Sequence, residues 1–321
     1  MEEFATGTRL FEIYSLFWEG RSMHPKFNKR TPYFLIAPFF ICYLLFSVFP
    51  FLFSFVISFT DWNGVNTPNF VGLNNYIRMF TQDTAAQKAF FNTFFFLIIA
   101  IPIEVILGLL LSILIRDFIP RGRGAFQLLN FLPYLTAPVA VGLIFQFLFD
   151  WNYGTINQIL DQLNLQKEHI YWLGTEWTAR FVVILVIIWR MCGYSMIILT
   201  AGLSTIPEDL YEAAELDGAT WLQKQIKITL PLLRPILGFV CIISLINGFQ
   251  LFDDPYMLFA SQAGQPYGGP NNSVLTVMMT MFQSSFMNFQ MGYGASIAYT
   301  LFFIIFAFSI ILTRVMKRGD S

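Results

Sequence analysis

Charge is what this chain has least of. Of its 321 residues, 12% are Asp, Glu, Lys or Arg and 56% are hydrophobic, where a soluble domain carries about 25% charge. Too few polar side chains remain to cover a water-soluble globule. The formal net charge is −1, so no basic field invites nucleic acid. Histidine is rarer still. His24 and His169 lie far apart, and no H-E-x-x-H occurs, which argues against a metalloprotease site. Cys42, Cys192 and Cys241 each fall inside an apolar segment and read as small buried hydrophobes, not as disulfide or metal ligands. No G-x-x-x-x-G-K-[ST] occurs, so ATP hydrolysis by this chain is not expected. No nucleophile motif supports an intramembrane enzyme. Residues 1–32 are mixed, carry Lys26, Lys29 and Arg30, and lack the apolar core and small-residue cleavage site of a signal peptide.

What is abundant is long apolar sequence. A membrane-crossing helix needs about 20 mostly apolar residues. Six segments meet that length: Tyr33–Phe59, Asn92–Ile115, Phe126–Phe149, Arg180–Leu203, Leu232–Phe252 and Ala295–Val315. Runs such as Phe94-Phe95-Phe96 raise β-propensity, but length favours helix. The expectation is an all-α membrane protein with six transmembrane helices.

Orientation follows from Lys and Arg in the short loops. One side of the membrane holds Lys26, Lys29, Arg30, Arg116, Arg121, Arg123, Lys224, Lys227, Arg234, Arg314, Lys317 and Arg318. The other holds Arg78, Lys88, Lys167 and Arg180. Both termini are therefore expected in the cytoplasm, with an N-terminal segment 1–32, a six-span domain 33–316 and a tail 317–321. Aromatic-rich turns at Asp61-Trp62, Asp150-Trp151 and Asp253-Asp254-Pro255-Tyr256 suit the headgroup region on the other side. Residues Leu10–Trp18 are loosely amphipathic, which suits a helix lying on the membrane surface, with docking onto a partner subunit as the alternative.

One polar break stands out. Between the fourth and fifth spans, residues 204–231 contain Glu212-Ala213-Ala214, then Gly218, then Ile228-Thr229-Leu230-Pro231. Thr205 and Glu208 stand at capping-box spacing with Pro207 in the first turn, so a helix is expected to begin there. Ala213 and Ala214 favour helix and leave little bulk, which lets another surface approach. Gly218 suits the left-handed conformation that stops a helix. A second short helix, about Thr220–Ile228, is expected to end before Pro231. A merely solvated loop is the alternative, with Glu212, Glu215 and Asp217 facing water.

This pattern resembles the EAA loop of the permease subunits of binding-protein-dependent ABC importers. Further matches tie the chain to the sugar branch of that family, which includes maltose and glycerol-phosphate permeases. They are Phe70-Val71-Gly72-Leu73-Asn74-Asn75-Tyr76, Asn92-Thr93, Leu132-Pro133 with Pro138, Asn152-Tyr153-Gly154-Thr155-Ile156-Asn157, Phe252-Asp253, and Gly268-Gly269-Pro270 with Ser273. The chain lacks the extra N-terminal spans and large outer domain of the maltose-type permease, so the compact six-span form is implied. The resemblance implies a type I ABC importer permease fold in a bacterial cytoplasmic membrane. It implies docking of Glu212, Ala213, Ala214, Asp217 and Gly218 in a cleft of an ATPase subunit. It implies as partners a second homologous permease, two ATP-binding subunits and an extracytoplasmic solute-binding protein. ATP and Mg would sit on the ATPases, with no cofactor on this chain.

Polar residues inside spans mark either a substrate pathway or bonding between helices. Asn247, Gly248 and Gln250 interrupt the fifth span, and amides both donate to and accept from sugar hydroxyls. Trp189, Gly193 and Tyr194 sit mid-fourth span, where an aromatic ring can stack on a sugar. Glu104 and Arg190 are mid-span charges that either neutralise each other or leave Arg190 to meet an anionic substrate group such as a uronate or phosphate. A transporter driven by an ion gradient is the rival class. It predicts inverted repeats and broken helices, shows no clear repeat here, and leaves the EAA pattern unexplained.

Overall fold

The computed structural model describes residues 30–119, 121–166, 168–260 and 267–318. The helix expected at Leu10–Trp18, His24, Lys26, Lys29 and Lys167 lie outside the described residues, as do the side chains of Lys317 and Arg318. The described residues fall into two compact units, one ending at Phe53 and one beginning at Ser54.

Among the described residues, the regular elements are helices, with one isolated antiparallel bridge between Thr60 and Phe70. Five stretches are long and apolar enough to cross a membrane: Pro32–Ile57, Thr84–Phe118, Glu176–Leu203, Trp221–Ala260 and Met291–Met316. These are the first, second, fourth, fifth and sixth spans. The second begins eight residues ahead of the sequence expectation because Asp83 caps it, accepting from the Ala86 amide at 3.0 Å.

The third span departs from expectation. It is two helices, Arg123–Leu135 and Pro138–Leu148, bent by 94°. Thr136 and Ala137 take extended backbone, with ψ of 136° and 134°. Pro138 is the cause: it bars helical backbone at the preceding residue and supplies no N–H. The half-helix after the break packs on Asp253–Ala260, the last helix of the composite fifth span. Gly142 makes that contact possible, since a Cβ there would lie 2.8 Å from the carbonyl carbon of Met257. Gln146 Nε2 then donates to the Leu258 carbonyl at 2.6 Å.

The fifth span also begins differently. Its entry, Trp221–Lys224, runs through a π-helical turn, Gln225–Thr229, into Leu230–Phe249. The short helix expected to stop before Pro231 instead continues across it. A π turn admits one extra residue and loosens the local ladder, and Pro231 sits in the first turn after it, where a missing N–H costs little.

The second and fourth spans form the centre of the larger unit, with Phe96, Ala100, Val182, Val183 and Val186 buried between them and their neighbours. The loop 268–277 is strapped onto these two spans. Asn92 Nδ2 donates to the carbonyls of Asn272 and Leu275 at 2.8 and 3.0 Å, and Arg180 Nε donates to that of Ser273 at 3.1 Å. Such bonds contribute about 1 kcal/mol each, and losing one leaves a buried polar group unpaired at greater cost.

Candidate functional site: a docking helix and an intramembrane polar cluster

The EAA segment forms the helix Asp209–Leu216. Its end is set by Gly218, whose φ is +76°. The Gly218 amide donates to Glu215 O at 3.0 Å and the Ala219 amide to Ala214 O at 2.9 Å. This pair of bonds satisfies two carbonyls that a helix end otherwise orphans. No heavy atom lies within 4 Å of an added Cβ at Gly218, so backbone conformation, not crowding within this chain, requires glycine.

The start of that helix was expected at a Thr205–Glu208 capping box, and the structure has none there. Thr205 Oγ1 donates to the Gly202 carbonyl at 2.8 Å instead, because it still belongs to the frayed end of the fourth span. The capping box in this region is Thr220 with Gln223. It starts the entry to the fifth span.

Glu212, Ala213, Leu216 and Asp217 are exposed, Leu216 to 90%, while Ala214 is half-buried. Exposed Leu222 and Ile226 add to the apolar surface nearby. Beneath it, Arg116 at the end of the second span ties the helices together. It donates to the Tyr211 hydroxyl at 2.7 Å and stands 4.6 Å from that ring's centroid. Tyr211 also bonds Thr229 at 2.9 Å. Asp117 accepts from the Trp221 indole at 2.8 Å and from Gln225 at 3.2 Å. Glu215 and Lys224 form an ion pair across the turn. These residues border a cavity of about 620 Å³ reaching Thr200 and Ser204 of the fourth span. The sequence marked Arg116 only as a loop cation. Its role as a hub rests on partners about a hundred residues away.

Within the spans, the expected pairing of Glu104 with Arg190 does not form. Arg190 pairs with Asp254, which is 4% exposed, and a second donor reaches the Thr136 carbonyl at 3.5 Å. Arg190 thus serves the break in the third span, where Thr136 has left the helix. Glu104, 2% exposed, accepts from Ser195 Oγ at 3.0 Å and from Ser244 Oγ at 2.5 Å. It joins the second, fourth and fifth spans. The geometric reason is that Asp253–Ala260 packs on the half-helix Pro138–Leu148 and brings a carboxylate nearer to Arg190 than Glu104. Ser195 and Ser244 were not singled out from sequence, and Asp254 was read only as part of an outer turn. A polar residue inside an apolar run was the only signal for the serines.

The residues proposed for a pathway separate into two groups. Asn247 and Gly248 line a small cavity with Glu104 and Ser244. Gln250 is exposed at the end of Leu230–Phe249. On the fourth span, Tyr194 stacks on Tyr134 with centroids 4.8 Å apart, and Trp189 packs on Phe145 at 5.4 Å. Gly193 is a contact point: an added Cβ would lie 1.8 Å from the Asn130 carbonyl oxygen.

The family described as "Binding-protein-dependent transport system inner membrane component" matches residues 85–318. The chain belongs to this family. The arabinooligosaccharides transport system permease protein AraP of Halalkalibacterium halodurans is 34% identical over 300 residues, covering 92% of this chain and 91% of that one. The trehalose/maltose transport system permease protein MalF of Thermococcus litoralis is 29% identical over 292 residues, covering 90% and 94%. Among solved structures, a bacterial ABC transporter involved in import of the acidic polysaccharide alginate matches with a TM-score of 0.76 at 20% identity, covering 97% of this chain and 99% of that one. The fold is that of ABC importer permeases, all-helical and multi-pass. A broken helix, which ion-driven transport also predicts, therefore occurs here inside a binding-protein-dependent permease fold.

Proposed function

We propose that this chain is the permease subunit of an ATP-driven importer that carries a sugar or oligosaccharide across the bacterial cytoplasmic membrane. The observation that carries the reading is the helix Asp209–Leu216. It presents Glu212, Ala213, Asp217 and an exposed Leu216 on a stem fastened to the second and fifth spans through Arg116 and Tyr211. A solvated loop has no use for such an anchored apolar tip. Both termini and this loop lie in the cytoplasm, as the Lys and Arg distribution argues. Residues 1–32 and 317–321 flank a six-span domain, and residues 204–231 are the coupling loop.

The chain works with a second homologous permease, two ATP-binding subunits and an extracytoplasmic solute-binding protein. It binds no cofactor and is not itself an enzyme, since ATP and Mg belong to the ATP-binding subunits. Closure of those subunits pulls on the docking helix, and the Arg116 hub passes the pull to the spans. The sugar assignment is supported by relatives whose names specify arabinooligosaccharides, trehalose/maltose and lactose transport.

The test is gentle detergent purification from the native membrane, with mass spectrometry of the proteins that accompany the chain. A second six-span permease and an ATPase are expected. Recovery of the chain alone, under conditions that keep known importers whole, overturns the reading.

A further inference from the structure

Glu104 lies where three spans cross, and both serine hydroxyls fall on its Oε1. Oε2 takes neither bond. The carboxyl borders a cavity of about 30 Å³ together with Ser244, Asn247 and Gly248, and the remaining wall is apolar, including Leu97, Ile101 and Leu251. That space holds a water-sized group, and hence a hydroxyl. A carboxylate acceptor beside an amide, set in an apolar wall, is the chemistry that takes a sugar: hydroxyls donate to the acceptor and the C–H face lies on the wall.

The same site is hostile to an acidic sugar. A uronate carboxylate brought to Glu104 would put two carboxyl groups in one low-dielectric site, where both cannot ionise, so the acidic sugar could enter only at the cost of a proton. Arg190, one residue before Met191 on the cavity wall, is committed to Asp254 and to the break in the third span. Its remaining donor, Nε, is buried.

We propose that Glu104 is a specificity-determining residue of the transport pathway, accepting a substrate hydroxyl on Oε2 and selecting uncharged oligosaccharides over uronates. This rests on the sugar-import reading above. Ser195 and Ser244 hold Glu104 between three spans, so it engages substrate when the second, fourth and fifth spans move apart during the transport cycle.

The test uses the assembled importer with its binding protein in nanodiscs. The probes are arabinotriose, maltotriose and an alginate trisaccharide. ATP hydrolysis stimulated by each sugar is measured first, and a neutral sugar is expected to stimulate. Dicyclohexylcarbodiimide labelling of Glu104 is then read by peptide mass spectrometry. Labelling should fall at least about threefold with the stimulating neutral sugar and stay unchanged with the alginate trisaccharide; equal labelling with and without the neutral sugar overturns the proposal and leaves sugar import standing. Stimulation by none of the three counts against the sugar reading itself, and with it the proposal. Should Glu104 resist labelling, Glu104→Gln decides. Loss of one hydrogen bond to a charged group slows neutral-sugar uptake about tenfold and raises the uronate-to-neutral rate ratio, whereas an unchanged ratio overturns the proposal, because a purely structural defect slows both sugars alike.

Discussion

Arg116 and Tyr211 meet at the foot of the docking helix, with the guanidinium 4.6 Å from the ring centroid and 2.7 Å from the hydroxyl oxygen. The hydroxyl in turn reaches Thr229 in the π turn of the fifth span. One phenol therefore joins the second span, the docking helix and the fifth span.

Tyr211→Phe keeps the ring and removes both hydroxyl bonds, at a cost of about 1–3 kcal/mol. The expected outcome is an assembled importer whose ATP hydrolysis is retained while uptake per ATP falls severalfold. Reconstituted uptake and hydrolysis, measured on the same proteoliposomes, check this. Unchanged coupling argues that force reaches the spans by another route.

Gly218 holds a left-handed backbone that most side chains adopt at a cost of about 1–2 kcal/mol, with Asn the most tolerant. Gly218→Val should uncouple transport, and Gly218→Asn should be milder. Because an added Cβ meets nothing within this chain, any loss of stability should stay within that backbone cost, and both variants should still insert. If Asn and Val behave alike, contact with a partner surface, not backbone strain, decides the position.

Removing one member of a buried ion pair strands the other. Arg190→Gln leaves Asp254 uncompensated at 4% exposure and should destabilise the chain on the order of 3 kcal/mol. Arg190→Gln with Asp254→Asn should recover much of that loss. Thermal unfolding in detergent reads the difference, and an additive double variant would show that the pair does not act as one unit.

The loop between the third and fourth spans should respond to pH through Asp161. Its carboxylate accepts from Gln166 at 2.7 Å and from His169 at 2.8 Å, and these bonds, Gln166 first, hold it below the usual carboxylate range. A carboxyl depressed in the folded state contributes order that is fully present above its unfolded titration, near about 3.9, and is lost as pH falls through the lower folded value. Protection of the amides at 161–166 and 168–170, corrected for intrinsic exchange, should therefore hold from neutral pH down to about 4 and fall below. Asp161→Asn should exchange fast throughout that range, and equal protection in the variant counts against this account.

Much of this architecture is legible in the sequence, for physical reasons. Apolar length fixes the spans because lipid solvates no backbone, and Gly218 is readable because few residues tolerate its conformation. What was misread involves competition between neighbours. Thr205 suits a cap by spacing, yet a carbonyl of the preceding helix lies closer. Pro231 looks like a stop, yet a π turn just before it lets the helix continue. Pro138 lies inside the apolar segment Phe126–Phe149, yet it forces the residue before it out of helix and so breaks the third span at Thr136 and Ala137. The partner of Arg190 was invisible for another reason. Asp254 lies 64 residues away in what reads as a turn, and only the packing of Asp253–Ala260 on Pro138–Leu148 brings it inside.

Gly142 rests on the main chain of Met257, not on its side chain alone. A rotamer can swing aside for a new methyl group, and a carbonyl carbon held in a helix cannot. No replacement at position 257, however small, therefore makes room for alanine at 142. A second-site suppressor of Gly142→Ala has to arise where it shifts the whole helix, and a screen confined to position 257 should return nothing.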